Sequence, residues 1–164
     1  MHPRARALID TLRLQAHPEG GWFAEVFRSV QQVQPQDERP SRSALTSIYF
    51  LLETHQQSSW HRVRSDEVWV HLEGDALHLW HWNGLDETAT CTLLGPVDVD
   101  RAQRPQHIIA AGHWQAARPV SLVETASKGY ALVACMVGPG FDFADFSLLH
   151  EQDAEAEFLL GISL

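Results

Sequence analysis

Residues 60–75 have the sequence WHRVRSDEVWVHLEGD, whose alternation of residue types predicts a β-strand. Within it, Glu67, Trp69 and His71 alternate with apolar residues. Successive side chains of a β-strand point to opposite faces of the sheet, so these three residues are predicted to share one face. The pair Gly74-Asp75 that follows is typical of a tight turn. His61 precedes the strand and reaches the same space if the intervening residues turn.

Similar short runs, rich in aromatic and β-branched residues, lie on both sides of this strand. They occupy residues 22–28, 47–52, 76–82, 91–94, 107–111, 120–125 and 130–137. Glycine and proline separate several of them, as at residues 95–96 and 138–140. Many short strands joined by turns predict an all-β sandwich or barrel rather than alternating β and α units.

The remaining segments are predicted to form a short helix, a loop and a C-terminal tail. Residues 5–14 have apolar side chains at helical spacing, which predicts one short N-terminal helix that ends near Pro18. Residues 31–42 are polar and contain two prolines, so we expect a long loop or lid. The tail from 151 to 164 is predicted to be a final helix or an extended arm. Nothing divides the chain, so we expect a single domain over residues 1–164.

The composition of the chain makes some binding partners and cellular compartments less probable than others. The chain has 164 residues, 45% of them hydrophobic, and a formal net charge of −9. Disorder is therefore not expected, and the acidic balance disfavours nucleic acid or an anionic membrane as a partner. No apolar run is long enough for a signal peptide or a membrane-spanning helix. Cys91 and Cys135 form no paired motif. We expect free thiols and a cytoplasmic protein.

The stretch at residues 60–75 resembles the first motif of the cupin superfamily, G(X)5HXH(X)3–4E(X)6G. His61 stands at the first histidine, Glu67 at the glutamate and Gly74 at the final glycine. Val63 stands where the second histidine would be, and His55 replaces the first glycine.

The second cupin motif, G(X)5PXG(X)2H(X)3N, resembles residues 104–119 much less closely. Gly112 is kept and Gln115 replaces the histidine. Other segments are similar to the cupin-5 family of small, mostly uncharacterised proteins: HPEGGWF at 17–23, TSIYFLL at 46–52, SDEVW at 65–69 and GPGFDF at 138–143. The resemblance covers the core from about Leu8 to Leu149.

The resemblance implies a β jelly roll with a small-molecule pocket in the mouth of the barrel, usually packed as a homodimer. It does not imply one reaction, because this superfamily includes metal-dependent oxygenases and isomerases, metal-free sugar-nucleotide epimerases, storage proteins and sensors. The chemistry must be argued from the site.

His61 and Glu67 are the candidate catalytic residues. Imidazole changes protonation near neutral pH, and a carboxylate beside it can fix its tautomer or act as a base itself. A purely structural interpretation is open at this stage. In that case Glu67 forms a buried salt bridge with Arg62 or Arg64, and His61 hydrogen-bonds to the backbone.

Further residues are candidates for binding a ligand. Trp69 offers an aromatic face and Gln115 an amide. Tyr49 and Tyr130 are the only two phenols, and either can serve as a complementary acid. Glu25 is a candidate together with Arg28, which can hold a carboxylate or phosphate with two hydrogen bonds. Their odd separation places them on opposite faces of a regular strand, so both point inward only if a bulge intervenes.

A divalent metal is the third possibility, held by His61, Glu67 and Gln115. Val63 cannot ligate, and an amide oxygen is a weak ligand for transition metals. His113, two residues before Gln115, is a possible accessory ligand. Three functions stay open: a metal-independent isomerase or epimerase with His61 as its base, a binding or sensing module, and a metal-dependent oxygenase or isomerase.

Overall fold

Two β-sheets face each other and enclose the apolar side chains that the alternating pattern predicts as buried. The computed structural model describes residues 1–122 and 127–162. The predicted strand residues 123–125 lie outside this range. In the described range, no helix has the length and apolar character needed to cross a membrane.

The described elements are two α-helices, one 3-10 helix and a series of short strands. The helices are α1 (Pro3–Leu12) and α2 (Ala156–Leu160), and the 3-10 helix is Phe143–Asp145. The strands in the first half are β1 (Gln15–Ala16), β2 (Trp22–Arg28), β3 (Gln32–Val33), β4 (Arg42–Ser43), β5 (Thr46–Glu53), β6 (His61–Val63) and β7 (Asp66–Gly74). Those in the second half are β8 (Ala76–Trp82), β9 (Thr90–Leu94), β10 (Gln106–Ile109), β11 (Trp114–Val120), β12 (Tyr130–Gly138) and β13 (Phe146–Leu148).

The described strands pair as two antiparallel sheets and one small ladder. One sheet has the order β1-β2-β5-β12-β7-β10 and the other the order β13-β6-β11-β8-β9. Strands distant in sequence are neighbours in both sheets, and the pairs are antiparallel. This is the β jelly roll that the motifs predict, and the all-β fold with a short N-terminal helix is confirmed.

The main core lies between the two sheets. Phe50, Trp69 and Val133 contribute from the first sheet, and Leu77 and Leu79 from the second. All five are almost fully buried. Their removal from water is the main term that stabilises the barrel.

Helix α1 covers part of the outer face of the first sheet. Its apolar side chains pack on Leu51, Tyr130 and Leu132, with Tyr49 at the edge of the cluster. Arg4 binds Glu73 through two hydrogen bonds of 2.8 and 2.9 Å, and the hydroxyl of Tyr130 also donates to Glu73. The helix is therefore fixed to the ends of β7 and β12.

The polar segment at residues 31–42 is mostly loop, as predicted, but it contains β3 and the first residue of β4. None of these residues lines the cavity described below, so the structure does not place this segment as a lid over it. Of the two predictions for the tail, the helix is the one observed, as α2.

Candidate functional site

A cavity of about 260 Å³ lies between the two sheets. Its polar lining residues are His17, Glu19, Glu25, Arg28, Thr46, His61, Glu67, Cys135 and Asp142. Its apolar lining residues are Phe23, Ile48, Val63, Trp69, Val137, Phe141, Phe143 and Phe146. The combination of an apolar wall with a few converging polar groups is typical of a small-molecule site.

The turn between β1 and β2 carries the first polar group into the cavity. Gly20 and Gly21 have φ angles of 102° and 72°, values that residues with a side chain rarely adopt. Hydrogen bonds from the backbone N–H of Gly20 to His17 O and from that of His17 to Gly21 O close the turn. This geometry directs Glu19, only 6% exposed, toward the interior of the barrel.

His61 lies at the start of β6 and is also buried. Its Nδ1 is 2.8 Å from the carbonyl oxygen of Ser59, which can only accept a hydrogen bond, so Nδ1 carries the proton. Its Nε2 is 3.1 Å from Oε2 of Glu19. Burial lowers the pKa of His61 to about 4, which makes the neutral imidazole the form present at neutral pH.

The hydrogen bond between Glu19 and His61 therefore has a definite donor and a definite acceptor. Burial, and then the nearby Glu67, raises the pKa of Glu19 well above its usual range, so its carboxyl keeps its proton. The protonated carboxyl donates to Nε2 of His61, while Nδ1 of His61 donates to Ser59. His17 stands beside this pair, with its Nδ1 accepting the backbone N–H of Glu19 at 3.3 Å.

Glu67, on the inner face of β7, is the second buried carboxyl group of the cavity. Its Oε2 accepts a hydrogen bond of 2.6 Å from Nε2 of Gln115, and the thiol of Cys135 is a further partner. The indole N–H of Trp69 donates to Oε1 of Gln115 at 3.0 Å, which fixes the orientation of the amide. Burial raises the pKa of Glu67 to about 7, although the hydrogen bonds from Gln115 and Cys135 oppose this effect.

At the mouth of the cavity, a β-bulge changes which side chains of β2 point toward the interior. The pairing with β5 shifts between Glu25 and Phe27, which leaves an extra residue at Val26. Glu25 and Arg28 consequently both line the cavity and form two hydrogen bonds, of 2.6 and 2.9 Å. Arg28 also donates to the carbonyl oxygen of Phe141 at 3.1 Å. The regular alternation would have separated these two side chains.

The structure brings together most, but not all, of the predicted site residues. His61, Glu67, Glu25 and Trp69 line the cavity. Gln115 does not line it, and instead supports Glu67 and Trp69 from the core. Tyr49 does not line it either, because alternation along β5 turns Ile48 toward the cavity and Tyr49 toward the cluster beneath α1.

Part of the structural interpretation is also observed. His61 does hydrogen-bond to the backbone, at Ser59. The proposed salt bridges of Glu67 do not form, because Arg62 pairs with Glu155 and Arg64 with Glu38.

The donor set does not fit a metal ion held by His61, Glu67 and Gln115. The amide oxygen of Gln115 accepts from Trp69, and its nitrogen faces Glu67, so the amide turns no free oxygen toward the carboxylate. His113 stacks on His81 instead, with ring centroids 6.2 Å apart. In residues 1–122 and 127–162, no group of three His, Cys, Asp or Glu side chains is arranged to hold a metal ion.

Several cavity residues could not be assigned from the sequence. Glu19 and His17 are visible there only as part of a glycine-rich turn, and Cys135 only as a thiol in an apolar strand. The family segment HPEGGWF is the available signal for Glu19, since a turn needed only for its backbone would not require a carboxylate. The family segment GPGFDF contains Asp142 in the same way.

Comparisons with known proteins agree with this architecture. A hypothetical protein from Leishmania major is 31% identical to this chain and superposes with a TM-score of 0.84. The match covers 96% of this chain and 93% of the Leishmania protein. A protein from Shewanella oneidensis is 32% identical, with coverages of 95% and 89% and a TM-score of 0.77. No protein with a curated description matches this chain.

More distant structures share the fold alone. The capsular polysaccharide assembling protein CapF from Staphylococcus aureus is 11% identical, with a TM-score of 0.57 over 84% of this chain and 34% of CapF. The family model described as cupin superfamily (DUF985) matches residues 6–149. That match spans most of the chain, both sheets and the whole cavity. The chain therefore belongs to the cupin-5 family (DUF985) of the cupin superfamily.

Proposed function

We propose that this protein binds a small oxygenated metabolite in the cavity and isomerises it by metal-independent proton transfer. The observation that carries this proposal is the convergence of Glu19, His61 and Glu67, all buried, on one cavity with apolar walls. Burying three acid–base groups is costly for a fold, and such groups are concentrated at functional sites.

Glu67 is the proposed base. Its pKa of about 7 keeps both the acid and the carboxylate populated near neutral pH, which suits a group that removes a proton and returns it. Gln115 and Trp69 hold the carboxyl group in one orientation. The carboxylate would take a proton from a carbon beside a carbonyl group, which leaves an enolate.

The Glu19–His61 pair is the proposed acid. The carboxyl of Glu19 carries a proton that it now donates to His61, at 3.1 Å, and could instead direct toward an enolate oxygen. His61 would then position Glu19 rather than act as the base itself, because both of its ring nitrogens have partners.

Hydrogen–deuterium exchange tests this proposal on many compounds at once. A panel of small hydroxy-carbonyl and amino-carbonyl compounds would be incubated with the protein in D₂O and followed by NMR. We expect enzyme-dependent deuterium uptake at the carbon beside the carbonyl. Glu67→Gln should slow this uptake by about a hundredfold or more, the usual contribution of a general base.

Tyr49→Phe is the matched control, since Tyr49 lies outside the cavity and should leave the rate unchanged. Circular dichroism should show that both variants are folded. An exchange rate that Glu67→Gln leaves intact would contradict the proposed role.

A second candidate is a binding or sensing module that does not transform its ligand. It is favoured by the engagement of both nitrogens of His61, which leaves the ring without a free acceptor. Native mass spectrometry of the purified protein, followed by incubation of any bound molecule with fresh protein, separates the two candidates. Release of the molecule unchanged, with no deuterium uptake, would favour the binding module.

We also infer that two copies associate through the outer face of the first sheet. Phe27, Ser47, Met136, Val68 and Ile108 are cross-strand neighbours on this face. Phe27 and Ile108 are about half exposed, at 50% and 52%. A contiguous apolar sheet face of this kind is typical of protein–protein contact.

A further inference from the structure

The cavity carries more acidic groups than its basic groups can balance. Its lining includes four carboxyl groups, those of Glu19, Glu25, Glu67 and Asp142, against the single guanidinium of Arg28. That guanidinium already binds Glu25. In the described part of the chain, no Lys or Arg forms an ion pair with Glu19 or Glu67.

The histidines do not supply the missing positive charge. Burial lowers the pKa of His17 and of His61 to about 4, so both rings are neutral at physiological pH. At neutral pH the cavity therefore keeps a proton on Glu19, and on Glu67 in about half of the molecules, instead of pairing these two carboxyl groups with cations. A buried carboxyl group held in this way is available to ionise when a cation enters.

The walls of the same cavity are aromatic. Phe141 lies 5.0 Å from Phe143 and 5.9 Å from Phe146 between ring centroids, and Phe23 and Trp69 add two more aromatic side chains to the lining. Aromatic rings attract organic cations through their faces, most strongly where water is excluded. An anion would gain little here, because it would meet buried carboxyl groups and an arginine already paired.

We propose that the cavity binds a small organic cation, with an ammonium group on Glu67 and Glu19 and a hydrocarbon body against the phenylalanines, and that binding releases a proton. This inference rests on the proposed function only in placing the ligand in the same cavity. The balance is simple: the carboxyl group of Glu67 loses its proton to solvent, and the resulting carboxylate pairs with the ammonium ion.

Among the titratable groups of the cavity, Glu67 is the one whose protonation changes near neutral pH. Cys135 on β12 has its pKa raised well above the usual range by burial and by the nearby carboxyl groups, so it stays a thiol. Glu19 keeps its proton, both histidines are neutral, and Arg28 stays charged. Glu25 and Asp142 lie at the exposed mouth. Affinity for a cation should therefore rise by about tenfold between pH 6 and pH 8, following the ionised fraction of Glu67.

Isothermal titration calorimetry with three probes of equal chain length tests the proposal: hexylammonium, hexan-1-ol and hexanoate. We expect hexylammonium to bind about tenfold tighter than either of the others at pH 8. Titrations at pH 7 in phosphate and in Tris, which differ in ionisation enthalpy, should reveal release of roughly half a proton or more per cation bound. Glu67→Gln should abolish that release and the preference for the cation.

Glu73→Gln serves as the matched variant, because Glu73 pairs with Arg4 outside the cavity and should bind the probes as the unchanged protein does. Tighter binding of hexanol or hexanoate, or a cation preference that survives in Glu67→Gln, would overturn the proposal. Deuterium exchange that depends on Glu67 without any preference for cations overturns this inference alone. A cation preference without exchange supports the inference and refutes the isomerase.

Discussion

At the scale of single residues, Glu67 has the most informative environment. It lies in a strand whose neighbours exclude water, and its hydrogen bonds from Gln115 and Cys135 only partly replace the lost hydration. The pKa of Glu67 is raised because these hydrogen bonds stabilise the carboxylate less than water would. Because the protonation state differs between the folded and unfolded chains, it must also appear in the pH dependence of stability.

Glu67→Gln should stabilise the protein at pH 8 but not at pH 4. Between its ordinary pKa of about 4.5 and its folded value of about 7, the folded chain holds a proton that the unfolded chain has lost. Stability therefore falls as the pH rises through this window, by up to about 3 kcal/mol. Glutamine removes that loss. Urea unfolding of both proteins at the two pH values measures the difference, and an equal difference at both would contradict the assignment.

Glu73→Gln is the control of opposite sign. The hydrogen bonds from Arg4, and then the one from Tyr130, lower the pKa of Glu73 to about 2. Its stabilising effect is present above pH 4.5 and is lost as the pH falls toward 2. This variant should therefore be less stable than the unchanged protein at pH 8, with the difference vanishing near pH 2.

The residues that sequence could identify are those that a motif or a strand period singles out. His61 and Glu67 belong to the cupin motif, and Trp69 follows from alternation with Glu67. Glu19 could not be assigned, because its position depends on a turn closed by backbone hydrogen bonds and packed near β6. The engagement of the Gln115 amide depends on Trp69, which is distant in the chain, and no local pattern contains such a contact.

At the scale of elements, one buried ion cluster fixes the loop between β3 and β4. The carboxylate of Asp145 accepts two hydrogen bonds of 2.9 Å from Arg42 and one of 3.1 Å from Arg39. Burial opposes ionisation of Asp145, but the hydrogen bonds from Arg42 and Arg39 hold its pKa below the ordinary value. The 3-10 helix that carries Asp145 also lines the cavity through Phe143. The ion cluster therefore links the loop between β3 and β4 to the wall of the cavity.

Asp145→Asn should destabilise the protein by about 3 kcal/mol, because it leaves buried guanidinium groups without a full counter-charge. Cleavage by trypsin after Arg42, which is followed by Ser43, should accelerate as the loop detaches. Thermal unfolding and limited proteolysis measure the two effects.

The exposed pair of Asp98 and Arg101 provides the control for this substitution. Asp98→Asn removes a surface ion pair and should cost well under about 1 kcal/mol. Similar melting temperatures for Asp145→Asn and the unchanged protein would contradict a stabilising role for the buried cluster.

Element types were predictable where the periodicity was regular. The long strands β5, β7, β8 and β12 all correspond to runs recognised in the sequence. The bulge in β2 was not, since only the register against β5 reveals the extra residue at Val26. The same limit explains Tyr49: a strand with apolar side chains on both faces does not reveal which face meets the cavity and which meets a helix.

At the scale of the whole molecule, the outer face of the first sheet is covered unevenly. Helix α1 buries the half that contains Leu51, Tyr130 and Leu132. In the described chain, the other half, around Val68 and Met136, has no helix over it. A second copy placed by a two-fold axis would cover both such surfaces at once.

Met136→Glu should convert a dimer into a monomer. The two-fold symmetry would place two new carboxylates in one apolar interface, which should raise the dissociation constant by about a hundredfold or more. Sedimentation velocity is the measurement, with the unchanged protein expected at twice the chain mass of 18.5 kDa and the variant at that mass. Leu85→Glu, at a side chain that is 89% exposed in a distant loop, introduces the same charge and should leave the dimer intact. A monomeric unchanged protein at tens of micromolar, or dissociation caused equally by Leu85→Glu, would refute this interface and require another reason for the apolar face.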